Sequence, residues 1–475
     1  MQTDGTPPIA IVGAGIAGLS AALRLRDAGR SVVVFEAADH VGGAIRSEYE
    51  EGYRYERGPN TVLESTPLIG RTIERLGLSE ERLSPTAAAK KRFVVRDGKP
   101  VALPSSLRTL IGSPLLGIGA KLRLLREPFV AKRPDDGNEE SVAALVERRL
   151  GPEVLRYFVD PFVAGVFAGT PDTLSARHAF AKMHALEQKH GSFIRGAIRT
   201  AKARRREREA AGPDAPPPPS RKMFSFREGL DRLPTAIAAL DGIDVRLRTR
   251  VTSLDRVGDG WRIGTEGEDD AVFDRVLLAL PAHALGALAI DGAPNDDLAT
   301  VAAIEHPPIT VLQLGFRRED VAHPLDGFGV LVPSIESRFR ILGALFPSSI
   351  FEGRAPEGHV LLSVFLGGTR RPDDARLPEE ERLRIALADL RSLLGVSADP
   401  RFVRQIAWER SIPQYRLDHG ERLAAIESFE ASHPGLALGG NYRTGISVPD
   451  TLQNGHDLAG RWLESESRPA ALKGG

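Results

Sequence analysis

Gly13-Ala14-Gly15-Ile16-Ala17-Gly18 joins an apolar run, Pro8 to Val12, to a segment of helical character, Leu19 to Ala28. A second apolar run, Ser31 to Phe35, ends in Glu36. Glycines at this spacing suit the binding of a pyrophosphate. The first permits a tight turn, the second lets backbone approach the phosphates, and the third lets helix and strand pack closely. The N-terminus of the helix, with its free N–H groups and its dipole, favours the anion. An acid about 20 residues further on accepts hydrogen bonds from a ribose hydroxyl pair. Alone, the glycine triplet is a weak signal that ordinary turns can also produce. The full strand–turn–helix–strand–acid unit points to a dinucleotide.

The next residues extend that site. Ala37 follows the acid, and Gly42-Gly43-Ala44-Ile45-Arg46 offers paired glycines for close backbone approach and an arginine able to reach phosphates. Tyr55-Glu56-Arg57-Gly58-Pro59-Asn60-Thr61 contains a Gly-Pro turn. At the far end, Leu436 to Tyr442 runs from a strand into Gly439-Gly440-Asn441, and Thr444-Gly445-Ile446-Ser447-Val448 leads to a helix start. This repeats the opening logic and can bring more backbone N–H groups to the same ligand.

These motifs need a framework to hold them. At 475 residues the chain exceeds what one core usually supports, so two or three domains are expected. Hydrophobic residues make up 42% and charged residues 27%, with 63 basic against 63 acidic, which argues against a dedicated nucleic-acid binder. The chain has no cysteine, which excludes a disulfide framework, a thiol nucleophile and a thiolate metal site, and no metal is expected. The first residues carry neither a basic segment nor an apolar core of the signal-peptide kind. No run approaches the ~20 apolar residues of a membrane span. A cytoplasmic location is expected, with any membrane contact peripheral.

Strand-like runs occur at Phe93-Val94-Val95, Asp244 to Leu247, Val251 to Leu254, Trp261 to Ile263, Asp274 to Pro281, Thr310 to Phe316 and His359 to Leu366. Phe226 to Leu230 is expected to open a helix. Between Ser105 and about Ile198 the texture is helical, with Leu107, Leu110, Ile111, Leu115, Leu116, Leu122, Leu124 and Leu125 among Arg108, Lys121, Arg123 and Arg126. Leucines at this spacing most often form core, while a basic, leucine-rich helix can also lie in a membrane interface. Core is expected for most of them. Glu139 to Leu150 is expected to be an amphipathic helix ended by Gly151-Pro152. Arg204-Arg205-Arg206 is expected to be a solvated helix end and Pro216 to Pro219 a polyproline linker.

The glycine–arginine extension resembles that of the FAD-containing amine-oxidase group. Lys91-Arg92-Phe93, Gly165-Val166-Phe167-Ala168-Gly169 and Asp326-Gly327-Phe328-Gly329-Val330-Leu331-Val332-Pro333, with Gly439 to Tyr442, resemble the oxygen-dependent protoporphyrinogen oxidases within it, essentially from end to end. The resemblance implies a mixed α/β and α+β fold. A Rossmann-type FAD-binding domain (1–85, 226–285 and 409–475) would accompany a mixed-sheet substrate domain (86–104 and 286–408) and an inserted helical membrane-binding domain (105–225). It implies FAD held by Gly13 to Leu19, Glu36, Ala37, Gly42, Gly43, Ala44, Arg46, Gly58 to Thr61, Val251, Trp408, Gly440, Asn441 and Ile446 to Val448. Arg92 would pair with a substrate propionate, the Gly165 backbone would face the tetrapyrrole, and Leu331, Leu345 and Phe365 would enclose it.

The implied reaction is a six-electron oxidation of protoporphyrinogen IX, in three two-electron steps, with dioxygen as acceptor and hydrogen peroxide released. No acid/base catalyst is identified, so positioning and flavin electronics would carry the reaction. A homodimer, a peripheral membrane contact and hand-over of product to ferrochelatase are also implied. Coproporphyrinogen III oxidases share the fold and flavin but take a substrate with four propionates. Other amine oxidases and carotenoid desaturases share the opening motif and should lack the two glycine–phenylalanine stretches. A flavin- or porphyrin-binding carrier without turnover is the non-enzymatic alternative.

Overall fold

A computed structural model of the chain describes residues 7–134, 137–211, 222–266 and 269–467. Pro216 to Pro219 lie outside the described residues. Ile9–Val12 and Val32–Phe35 are both buried throughout, as short β-branched runs are in parallel sheets covered on two faces. Five parallel strands run in the order Ile243–Arg246, Val32–Phe35, Ile9–Val12, Arg275–Leu278 and Leu436–Leu438. Successive side chains point to opposite faces, and the two faces build two cores. Ile9, Ile11, Val32 and Val34 pack with the Ile16–Asp27 helix and with Leu452 and Leu458 of the Val448–Ser467 helix. Ala10, Val12, Val33 and Phe35 pack with Leu254, Trp261 and Ile263 of a second five-stranded sheet, which is mixed.

A seven-stranded mixed sheet forms the second body. Its order is Phe402–Trp408, Ile309–Arg317, His359–Gly367, Gly343–Leu345, Gly329–Leu331, Phe93–Arg96 and Lys99–Ala102. All pairings are antiparallel except that of Phe93–Arg96 with Gly329–Leu331. Leu312, Leu314, Leu362, Val364 and Ala344 turn toward the Glu379–Leu394 helix, which buries Ile385, Ala386 and Leu390 against them. The opposite face carries Val311 and Leu361, packed with Tyr53, Tyr55, Ala164 and Ala168.

Residues 107–211 are mainly helical. Arg149, fully buried, meets Glu127 at 2.8 Å and Glu187 at 2.9 Å. Glu127 also accepts the Phe193 and Ile194 N–H groups at the start of the Phe193–Ala211 helix, where the dipole favours an acid. The expectation of a leucine core is only partly met. Leu115 and Leu116 are buried, whereas Ile111 of the Leu107–Gly112 helix is exposed, as are Leu122 and Leu125, because the Ile118–Arg126 helix that carries them buries only Ala120. The helix expected from Glu139 begins at Val142, where Ser141 Oγ accepts the Ala144 N–H at 3.1 Å. Phe226 ends a strand, Met223–Phe226, pinned between Val62–Leu63 and Arg82–Leu83, and the following helix starts at Arg232.

Candidate active site

The C-terminal ends of three parallel strands meet at one edge of the five-stranded sheet, where α/β folds bind ligands. Gly13 has φ +106°, and a Cβ there would lie 2.4 Å from the Ala279 carbonyl oxygen, so only glycine suits this turn. A Cβ on Gly18 would lie 2.1 Å from the Gly13 carbonyl oxygen. Around a Cβ on Gly15 nothing lies within 4 Å. The helix beginning at Ile16 has no side-chain cap at its N-terminus. Glu36 accepts the Ala14 and Ala38 N–H groups, each at 2.8 Å, leaving lone pairs for hydroxyl donors. Open space over Gly15, an uncapped helix end and a fixed carboxylate fit a dinucleotide.

Other expected contacts converge on this edge. Gly42 donates to the Ala14 carbonyl at 2.8 Å, and a Cβ on Gly43 would lie 3.5 Å from Gly15 Cα. A Cβ on Gly58 would lie 2.1 Å from the Ala44 carbonyl oxygen, so the Gly58–Thr61 loop lies against the Gly42–Arg46 segment. Arg248 and Thr249 donate to Ala38 and Glu36 carbonyls, both at 2.8 Å, which brings Val251 to the Glu36 side. The C-terminal helix crosses the first one so closely that a Cβ on Gly455 would lie 1.9 Å from the Ala17 carbonyl oxygen. That crossing packs Val448, at the start of the C-terminal helix, into the core that holds the first helix, whereas Ile446 packs against the helical insert. The Arg46 guanidinium lies 3.5 Å from Glu48. Burial works against the Glu48 charge, but bonds from Tyr55 and Arg57 hold its carboxyl below the usual range.

The substrate-side residues are built by cross-strand register. Leu331 pairs with Gly343, and Gly343 pairs with Phe365, so the two large side chains flank a position with none. Paired positions share a face, and Leu345, two residues along, lies on it too. Leu331, Leu345 and Phe365 are half-buried in strands otherwise buried. A Cβ on Gly165 would lie 2.7 Å from Leu331 Cδ2, which places the Asp160–Phe167 helix directly on this row. Arg92 precedes the Phe93–Arg96 strand, two residues before Val94, which pairs with Leu331, and its guanidinium is 5.3 Å from the Phe328 ring centroid. It is exposed, and its guanidinium donates to Met223 Sδ at 3.8 Å.

The same face of the sheet also carries groups the motifs did not indicate. Gln313 and Ser363 sit fully buried in apolar strands and bond to each other at 2.6 Å. Gln313 Nε2 donates to the Glu56 carbonyl at 3.1 Å, and Trp408 Nε1 donates to the Arg57 carbonyl at 3.0 Å. The Glu56–Thr61 loop is thereby tied to the face bearing Phe365. Burial pushes the Glu56 carboxyl up to about 7, against the pull of Ser47 and of Arg354 at 4.0 Å. A polar residue at an inward position of a run such as Val311-Leu312-Gln313-Leu314 was the available signal for this network.

The family model for flavin-containing amine oxidoreductases matches residues 16–461. The mitochondrial protoporphyrinogen oxidase of Nicotiana tabacum is 36% identical over 97% of this chain and 96% of its own length. The coproporphyrinogen III oxidase of Bacillus subtilis (strain 168) is 25% identical over 96% of this chain and 97% of its own. Among solved structures, an Exiguobacterium sp. 255-15 protein provisionally named a protoporphyrinogen oxidase shares the fold with a TM-score of 0.79 and 22% identity, covering 98% of this chain and 100% of that one. Reduced UDP-galactopyranose mutase gives a TM-score of 0.71 at 17% identity, covering 98% and 97%. The chain belongs to the flavin-containing amine oxidoreductase family, on its protoporphyrinogen oxidase branch, and is a flavin-dependent oxidoreductase.

Proposed function

We propose that this enzyme oxidises protoporphyrinogen IX to protoporphyrin IX with FAD as resident cofactor and dioxygen as acceptor, releasing hydrogen peroxide. The observation that carries the reading is the Leu331–Gly343–Phe365 row, abutted at Leu331 by Gly165 and edged by the exposed cation of Arg92. An apolar slot with one cationic anchor suits a large apolar macrocycle bearing propionates at one edge. The 36% identity to the tobacco enzyme supports the same substrate.

Bound FAD would supply the hydride acceptor and the reaction with dioxygen. The residues of this chain position and enclose. Gly13 to Leu19, Glu36, Gly42, Gly43 and the Gly440–Val448 segment would hold the cofactor. Leu331, Leu345 and Phe365 would bind the tetrapyrrole faces and exclude water, and Arg92 would orient a carboxylate. The same reading divides the chain into the discontinuous FAD-binding domain, the substrate domain and the helical insert outlined above. Exposed Ile111, Ile118, Leu122, Leu125 and Phe129 beside Lys121, Arg123 and Arg126 support a peripheral membrane contact for that insert. Among the described residues no helix is long and apolar enough to cross a membrane.

The test is porphyrin fluorescence appearing from protoporphyrinogen IX, with peroxide measured alongside and coproporphyrinogen III assayed in parallel. Three peroxides per porphyrin, and a higher kcat/KM on protoporphyrinogen, are expected. Preference for coproporphyrinogen would move the assignment to the bacillar type of enzyme.

A further inference from the structure

Gly165, Leu331 and Phe365 stand on three separate elements, and Arg370 lies where those elements meet. It follows the His359–Gly367 strand that carries Phe365. Its Nη1 donates to the Val332 carbonyl at 2.7 Å, next to Leu331. Its Nη2 donates to the Asp160 carbonyl at 3.1 Å and lies 2.7 Å from Asp160 Oδ2. Asp160 opens the helix that bears Gly165, and its Oδ2 also accepts the Ser334 N–H at 2.7 Å. At the other end of that helix, the Thr369 N–H donates to the Ala168 carbonyl at 2.7 Å. The helix is thus tethered at both ends to the segments that follow Leu331 and Phe365.

Both charged side chains are largely buried, at 12% and 9% exposure. Burial lowers the basicity of Arg370, and Asp160 opposes that effect. Arg370 Nε is buried without a partner among the described residues. Apolar residues of similar volume would stabilise such a site as well or better. What the ion pair supplies is direction: two charge-assisted contacts and two carbonyl contacts hold three backbones in one arrangement.

We propose that Asp160 and Arg370 form the positioning pair that fixes the Gly165 helix against Leu331 and so sets where the Gly165 backbone and the Leu331–Phe365 row border the porphyrinogen site, resting on the substrate reading above. The helix already touches Leu331, so a small slip of the helix moves both the Gly165 backbone and the leucine and misplaces the macrocycle they border. Neither side chain is a catalytic residue. The flavin-binding edge is built by other elements and should not register the change.

The experiment compares Arg370→Lys, Arg370→Gln, Asp160→Asn and the double variant Asp160→Asn/Arg370→Gln, which leaves no unpaired buried charge and keeps the test open if a single variant fails to fold. Flavin content and the rate of air reoxidation after dithionite reduction should match the parent. KM for protoporphyrinogen should rise by roughly tenfold or more in Arg370→Gln and in the double variant, more than kcat falls, with partial recovery in Arg370→Lys. A double variant within about twofold of the parent KM would overturn the proposal. So would KM and flavin content failing together, which marks a merely structural pair. A parent that oxidises no porphyrinogen would overturn the substrate reading and the pair with it, whereas an active parent with unchanged variants overturns the pair alone.

Discussion

Gly165 lies against Leu331 with no room for a side chain between them: a Cβ on the glycine would sit 2.7 Å from Leu331 Cδ2. Leu331 is the flexible partner, so Gly165→Ala should fold but push the leucine into the slot. Crowding of this kind costs about 1–3 kcal/mol. KM for porphyrinogen should rise roughly tenfold with little change in Tm, and Gly165→Ala/Leu331→Ala should recover part of it. A single variant with unchanged KM would show that this contact does not border the substrate.

Arg92 is the proposed substrate anchor. A hydrogen bond to a charged group contributes about 1.5–3 kcal/mol. Arg92→Ala should therefore raise KM by roughly ten- to a hundredfold while kcat falls less. Equal kcat/KM in variant and parent would remove the assignment.

Gly15 and Gly18 should fail in different ways. An added methyl at Gly15 meets nothing within 4 Å, so Gly15→Ala should keep the apoprotein's Tm and lose flavin because it fills space kept for phosphate. A methyl at Gly18 would lie 2.1 Å from the Gly13 carbonyl oxygen, which is backbone. Gly18→Ala should lower the apoprotein's Tm as well as flavin content. Flavin absorbance per polypeptide and thermal melts of both apoproteins decide between the two patterns.

Glu56 makes stability depend on pH. Burial raises its carboxyl to about 7 from an ordinary 4.5, so the native state binds a proton the unfolded chain releases. The stabilisation is fully present below about 4.5 and is lost as pH rises through about 7, a change on the order of 3 kcal/mol. Glu56→Gln should flatten that loss. Urea unfolding of parent and variant at pH 5 and pH 8 measures it, and identical slopes against pH would refute the assignment.

Much of this was legible in local spacing. The strand–turn–helix unit at Ile9 to Asp27, the acid at Glu36 and the long strands Ile309–Arg317 and His359–Gly367 follow from period-two and buried-run patterns that neighbouring residues dictate, whereas the short Gly329–Leu331 and Gly343–Leu345 strands carry no such pattern. The start of the helix at Arg232 was missed because Phe226 is claimed by strand partners far away in the chain, Val62–Leu63 and Arg82–Leu83. Leu122 and Leu125 have core spacing yet stay exposed, because spacing states which residues share a face and not whether another element covers it.

The row proposed to meet the substrate belongs to tertiary structure alone. Leu331, Gly343 and Phe365 become neighbours only through the pairing of three strands. Asp160 meets Arg370 across 210 positions. Backbone and side-chain preferences act over a few residues, so the glycine fingerprint could announce its ligand in advance. Strand register and ion-pair partners are chosen when distant segments bury each other's surface, and that choice assembles the slot.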